Sequence, residues 1–259
     1  MKSKIHLVTR ADDAGSCRSA NEAILEGVEA RIIKNVSFMA IGPKIEGAVE
    51  LLGGRDDIAY GLHVCLNAEW EEVKWGPLTN SEFLTDEGGH FWPFPSDTKH
   101  QLETSSALDK RDWPSVFGTE INAQLKRLRA LGLNISYIDE HMGVSWIAPE
   151  LRGFIENLCQ LHGLVDAAPI PSLPEATNQS DDFLALEPRL KAATGDKYVW
   201  ITHPGKVAAD MNALYLKGQE PGVVARQRDA ERRLLLDPRL PELFAHRKVK
   251  VARYDEGTA

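Results

Sequence analysis

The sequence predicts a parallel α/β fold, and three observations predict it. Short apolar runs alternate with longer segments of helical periodicity, an order that implies parallel strands joined by right-handed crossovers. The chain has 259 residues, 43% of them hydrophobic and 26% charged. That is an ordinary globular composition, at a length that suits a single α/β barrel of about 250 residues. No apolar run reaches ~18 residues, so no membrane span is expected.

Taken in order, residues 5–9 read as the first strand. Ser19 is placed to cap a helix running to about residue 31. Glu22 sits three residues later, and Ala23, Ile24, Gly27 and Val28 give a 3.6-residue apolar face. Residues 36–41 read as a strand stopped by Gly42-Pro43, and 44–52 as a helix ended by Gly53-Gly54. A third strand covers 58–66. Helix 118–131 ends at Gly132, strand 135–138 follows, and helix 149–162 opens on a proline. Short strands at 164–168 and 198–202, a helix at 221–236 and a last strand at 248–254 complete the pattern. Two stretches interrupt it. Residues 68–112 form a long insertion carrying Trp70, Trp75 and Trp92, and 169–181 is proline-rich. A loop of that length is usually functional or hides a small hairpin. With no internal repeat, residues 1–259 read as a single catalytic domain.

Charge and cysteine usage exclude some functions. Lys plus Arg is 30 against 38 for Asp plus Glu, a net −8, without the basic excess that nucleic-acid binding uses. The densest basic stretch, 226–233, is interrupted by Asp229 and Glu231 and reads as a solvated helix face. Cys17, Cys65 and Cys159 are odd in number and widely spaced, which suits a reducing compartment. The first apolar run is too short for a signal-peptide core, so a cytoplasmic location is expected.

In a parallel barrel, functional residues gather at the C-terminal strand ends. The first strand ends in Arg10-Ala11-Asp12-Asp13, the third carries His63, the fourth ends in Asp139-Glu140-His141, and a later one ends in His203-Pro204-Gly205. Each alone is weak, but their joint placement points to one site. One Asp with two His holds a divalent ion and leaves positions open for water and substrate. Zinc suits such donors, and a carboxylate-rich, wet site also accepts magnesium. The neighbouring Asp, whose side chain should diverge from its partner's, is then placed to take a proton from water made acidic by the ion. A further His can protonate a leaving amine. Together these parts describe metal-assisted amide hydrolysis. Asp139 is available to orient His141. Cys65 shares the face of His63 and reads as a small buried thiol rather than a ligand. Trp70, Trp92 and Trp146 offer faces for sugar rings.

At these residues the chain resembles the YdjC-like carbohydrate deacetylases, which include chitooligosaccharide deacetylases. The family's A-D-D-F-G and N-E-A-I stand here as Ala11-Asp12-Asp13-Ala14-Gly15 and Asn21-Glu22-Ala23-Ile24. Its G-L-H-x-x-L is Gly61 to Leu66, its D-S-H-x-H is Asp139 to Gly143, and its H-P-G is His203 to Gly205. The order and spacing match over about residues 4–254. The resemblance implies a barrel-like fold related to polysaccharide deacetylases, a distorted or seven-stranded TIM-like barrel, often dimeric. It implies removal of acetyl groups from N-acetylated sugars with one divalent metal ion. By position, Asp13, His63 and His141 match the metal ligands, Asp12 the general base, and His203 the general acid or oxyanion-stabilising group. Gly143 stands where the family often has a second His. Ala14 replaces Phe, and Cys17 a small or polar residue. These departures leave the substrate open to differ from chitooligosaccharides. The rival readings are another metal-assisted amide or ester hydrolase, a sugar isomerase, or a non-catalytic sugar-binding protein.

Overall fold

The computed structural model describes residues 5–79, 81–104, 113–147, 149–175 and 183–256. Its centre is a curled, parallel, seven-stranded sheet. The strands are β1 (Ile5–Ala14), β2 (Asn35–Phe38), β3 (Ala59–Val64), β4 (Ile135–Glu140), β5 (Val165–Asp166), β6 (Lys197–Thr202) and β7 (Val249–Ala252). They run in the order β5-β4-β3-β2-β1-β6. β1 is long enough to serve three partners. β6 lies along one edge from His6 to Ala11, while β7 takes the first half of the other edge and β2 the second. Between β5 and β6 the chain itself covers the seam: Pro171 and Leu173 both hydrogen-bond Val199, at 2.9 and 2.7 Å.

Helices α1 (Arg18–Glu29), α2 (Ile45–Leu52), α3 (Pro95–Thr104), α4 (Trp113–Ala130), α5 (Pro149–His162), α6 (Phe183–Ala192), α7 (Ala209–Asn212), α8 (Val223–Leu235) and α9 (Leu240–Arg247) complete the described elements, with two short 3-10 turns. The main apolar core lies between the sheet and these helices and takes Leu7 and Ala11 of β1. A second, small core takes Val8, Ala59, Tyr137, Val199, Ala252 and Tyr254, the side chains pointing the other way. Strand alternation therefore defines an interior. Continuing two residues at a time from Val8 gives Arg10 and Asp12, from Ala59 gives Gly61 and His63, and from Tyr137 gives Asp139. The interior is apolar at the N-terminal ends of the strands and charged at the C-terminal ends.

Several boundaries differ from expectation. Helix α1 is capped by Cys17, whose sulfur accepts from Ala20 N at 3.4 Å. Ser19 instead bonds Asp210 through its hydroxyl and amide. β1 continues through Asp12 and Asp13, because those buried charges are paired. α3, α6, α7 and α9 carry no strong apolar stripe and are not evident from periodicity. The long connection holds a 3-10 turn at Glu82–Leu84, an antiparallel bridge between Thr85 and Phe91, and α3. Buried Glu120 of α4 anchors it, accepting from Leu78 N, Thr79 N and Thr79 Oγ1 at 2.8–3.1 Å. Positions 80 and 105–112 of that connection, and 176–181 of the proline-rich one, lie outside the described residues. No described helix is long and apolar enough to cross a membrane.

Gly61 faces the interior where Tyr137 needs the space: a Cβ there would stand 2.2 Å from the Tyr137 ring. Gly61→Ala overpacks this layer. The expected loss is about 1–3 kcal/mol, read as a lowered urea midpoint at unchanged m-value.

Candidate active site

The first constraint is at the end of β1. Its pairing with β2 shifts register between Ala11 and Ala14, and Asp13 adopts a left-handed φ of 63°. Adjacent strand side chains normally diverge, but this bulge re-aims one of them. Asp12 and Asp13 therefore both face one cavity of about 290 Å³, together with His63, His141, His203 and Trp70. Asn21 secures the turn that follows, accepting from Gly15 N at 2.8 Å and donating to the Lys44 carbonyl at 3.0 Å.

Asp13 Oδ1, His63 Nε2 and His141 Nδ1 converge there. The separations are 3.5 Å from Asp13 to His63, 3.2 Å from Asp13 to His141 and 3.2 Å between the two rings. The outer nitrogens are already committed. His63 Nδ1 meets Asp139 Oδ1 at 2.9 Å, and His141 Nε2 meets Glu69 Oε1 at 3.1 Å. With those N–H groups donated outward, three lone pairs face one another, and Asp13 Oδ1 is buried without a well-formed hydrogen bond. These three atoms could hold a cation. Donors about 2.0–2.2 Å from a common ion stand roughly 3.0–3.5 Å apart, so the spacing fits. A second acidic group, Asp12, His63 and Asp139, is also close enough for an ion. There the cation is already supplied by Arg10.

Arg10 is the hub of the interior. Its Nε and Nη2 donate to the two Asp12 oxygens at 2.6 and 2.7 Å, and its Nη1 reaches Asp139 Oδ2 at 2.8 Å and Tyr254 OH at 3.2 Å. Ser37 also donates to Asp139 Oδ2, at 2.7 Å. Burial alone would raise the Asp12 pKa, but Arg10, His63 and His203 together outweigh it and hold the carboxyl below the usual range. At Asp13 burial is likewise outweighed, chiefly by Arg228. Burial opposes the charged form of His63, yet Asp139 and Asp12 push it up to about 9, and Glu69 raises His141 in the same way.

His203 lies at the mouth, its side chain 40% exposed and its Nε2 3.9 Å from Asp12 Oδ2. Its backbone N–H is held by Glu231 of α8. One helical turn earlier, Arg228 enters the same cavity. Its Nη2 donates to Asp13 Oδ2 at 2.6 Å and its guanidinium lies 5.5 Å from the Trp70 ring centroid.

Several expectations need correction. Asp139 orients His63, not His141; parallel pairing sets it opposite His63 on the neighbouring strand. Arg228 is buried rather than solvated, because its guanidinium pairs with buried Asp13 and lies against Trp70. Of the three tryptophans only Trp70 lines this cavity. Trp92 is half-buried in the long connection, where its carbonyl accepts from Ala68 N. Trp146, 84% exposed, borders a larger cavity of about 560 Å³ with Ile170 and Ile201. Glu140 lines both cavities. Gly143 also lines the larger one, at φ 64°, and a Cβ there would touch the Trp146 ring at 3.4 Å. Glu69 and Arg10 carry no motif that singles them out.

A family model described as YdjC-like protein matches residues 6–246. The chain belongs to the YdjC-like family. Among curated relatives, the carbohydrate deacetylase of Thermoanaerobacter pseudethanolicus is 27% identical over 155 residues, 58% of this chain and 55% of that one. The carbohydrate deacetylase of Vibrio vulnificus is 29% identical over 136 residues, 52% and 48% of the two chains. The chain thus spans about half the length of these relatives. The carbohydrate deacetylase of Vibrio parahaemolyticus aligns over 96% of this chain and 94% of its own, at 23% identity. A crystal structure from Enterococcus faecalis, described by name as a cellobiose-phosphate cleavage protein, superposes with a TM-score of 0.77 at 17% identity. It covers 97% of this chain and 98% of that one, a likeness of fold.

The cysteines serve packing. Cys65 donates to the Asn67 carbonyl at 3.2 Å, and burial pushes its thiol up to about 12, Cys17 to about 11 and Cys159 to about 12. Only the thiolate is nucleophilic, and a raised pKa leaves the neutral form dominant at pH 8. The native protein should therefore show no rapid reaction with Ellman's reagent at pH 8, and three equivalents should react after denaturation.

Proposed function

We propose that this chain is a metal-dependent hydrolase that removes the acetyl group from an N-acetylated sugar or small oligosaccharide. The observation that carries the reading is the trio Asp13 Oδ1, His63 Nε2 and His141 Nδ1, three inward-facing donors within 3.2–3.5 Å, beside Asp12 and His203 on one cavity wall. The names of the curated relatives support the substrate class. A divalent ion held by the trio would acidify water and polarise the acetyl carbonyl. Its two nitrogens and one oxygen suit zinc, and the surrounding carboxylates also accept magnesium.

The remaining chemistry belongs to the chain. Asp12 stays ionised against Arg10 and accepts the proton of the attacking water. His203, at the solvent-facing mouth, delivers a proton to the departing amine nitrogen. Asp139 and Glu69 fix the tautomers of His63 and His141, so both imidazoles present lone pairs inward. Trp70 forms an apolar wall for one pyranose ring. The larger cavity beyond Glu140, edged by Trp146 and Ile201, has room for another part of a sugar chain.

The test is acetate release from N-acetylglucosamine and its short oligomers across a panel of divalent metals. Asp13→Ala and His63→Ala should lose bound metal and activity together. Full activity of either variant after chelation and dialysis would overturn the ligand assignment. Glu69→Ala frees the outer nitrogen of His141, and metal affinity should fall about 10–100-fold, measured by competition with a chromogenic chelator.

A further inference from the structure

Arg228 has a donor the site does not use. Its side chain is buried, its Nη2 is committed to Asp13, and its carbonyl is fixed by Gly205 N at 3.1 Å. Its Nη1 is buried and has no hydrogen-bond partner among the described residues. A guanidinium keeps its charge at any ordinary pH. A buried, charged N–H without an acceptor is costly. The salt bridge to Asp13 needs only one edge of the guanidinium, so it does not account for the other. The cavity it lines carries Trp70, Met142 and Leu216 beside its carboxylates and imidazoles, and none of these gives Nη1 an acceptor. An oxygen of a bound ligand would supply one.

We propose that Arg228 is a catalytic residue whose Nη1–H binds the acetyl carbonyl oxygen and stabilises the oxyanion formed on it. The inference rests on the deacetylase reading above. When the water oxygen bonds to the acyl carbon, one water proton passes to Asp12 and the carbonyl π pair moves onto oxygen. Arg228 stands against that negative charge. When the pair re-forms the carbonyl, the C–N bond breaks and the nitrogen takes its proton from His203, leaving acetate and an amino sugar. The donor is preorganised: Asp13 and Trp70 hold the guanidinium before substrate arrives, as electrostatic stabilisation of a transition state requires.

Arg228→Lys and Arg228→Gln, assayed per metal-loaded chain, separate this role from mere support of Asp13. Both should retain bound metal at saturating ion. The expected kcat loss is about 10²–10³-fold, with KM changed less than about threefold. Affinity for an anionic phosphonamidate analogue of the tetrahedral intermediate should fall in proportion to kcat/KM. Unchanged kcat per metal-loaded chain in both variants overturns the proposal, whatever happens to metal affinity. If the wild type hydrolyses no N-acetylated sugar, the deacetylase reading fails. Calorimetric titration of acetate into metal-loaded wild type and Arg228→Gln then decides the oxyanion site alone. Equal affinities overturn it, and a loss of tenfold or more in the variant sustains it.

Discussion

The salt bridge of Arg10 to Asp12 and Asp139 is the interaction on which the remainder of the interior depends. A guanidinium inside a parallel sheet is tolerable only when its donors are matched, and here Asp12, Asp139 and Tyr254 match them. Removing one member of such a group leaves an uncompensated buried charge, at a cost of about 3–5 kcal/mol. The same contact fixes Asp139, which fixes His63, which faces Asp13 and His141. Strand order and chemistry are therefore coupled through one side chain: β1 supplies it, β4 receives it, and β3 reads out the result.

Charge around the trio has its own logic. With Glu140 paired to Arg152 outside the trio, Asp12, Asp13, Asp139 and Glu69 face Arg10 and Arg228, so four carboxylates stand against two guanidiniums. Two negative charges remain in a place where Coulomb interactions are weakly screened. Protons on His63 and His141 balance them, the reason both imidazoles hold protons unusually tightly. A divalent cation balances them equally well.

Much of this was legible in the sequence, and the limits have physical causes. Strand ends place His63, His141, Asp12 and Asp13 because parallel sheets put loops there. Arg10 is not legible as a hub, since its partners come from positions 139 and 254 and meet only when the sheet curls. Glu69 lies in an irregular connection without periodicity, and Arg228 sits in a basic run that looks like an exposed helix face. The boundary of β1 is hidden for a related reason: two aspartates end a strand in composition but continue it when both are paired. Helices α6 and α9 escape because one carries Pro188 internally and the other spans only eight residues, with Pro241 in its first turn.

The left-handed backbone at Asp13 ties function to stability. A non-glycine residue at positive φ costs roughly 1–2 kcal/mol, and the buried pair with Arg228 offsets that cost. Glycine at position 13 would relieve the strain but leave the Arg228 guanidinium buried without its partner, a larger penalty of about 3–5 kcal/mol. Drift away from aspartate here would therefore have to change positions 13 and 228 together.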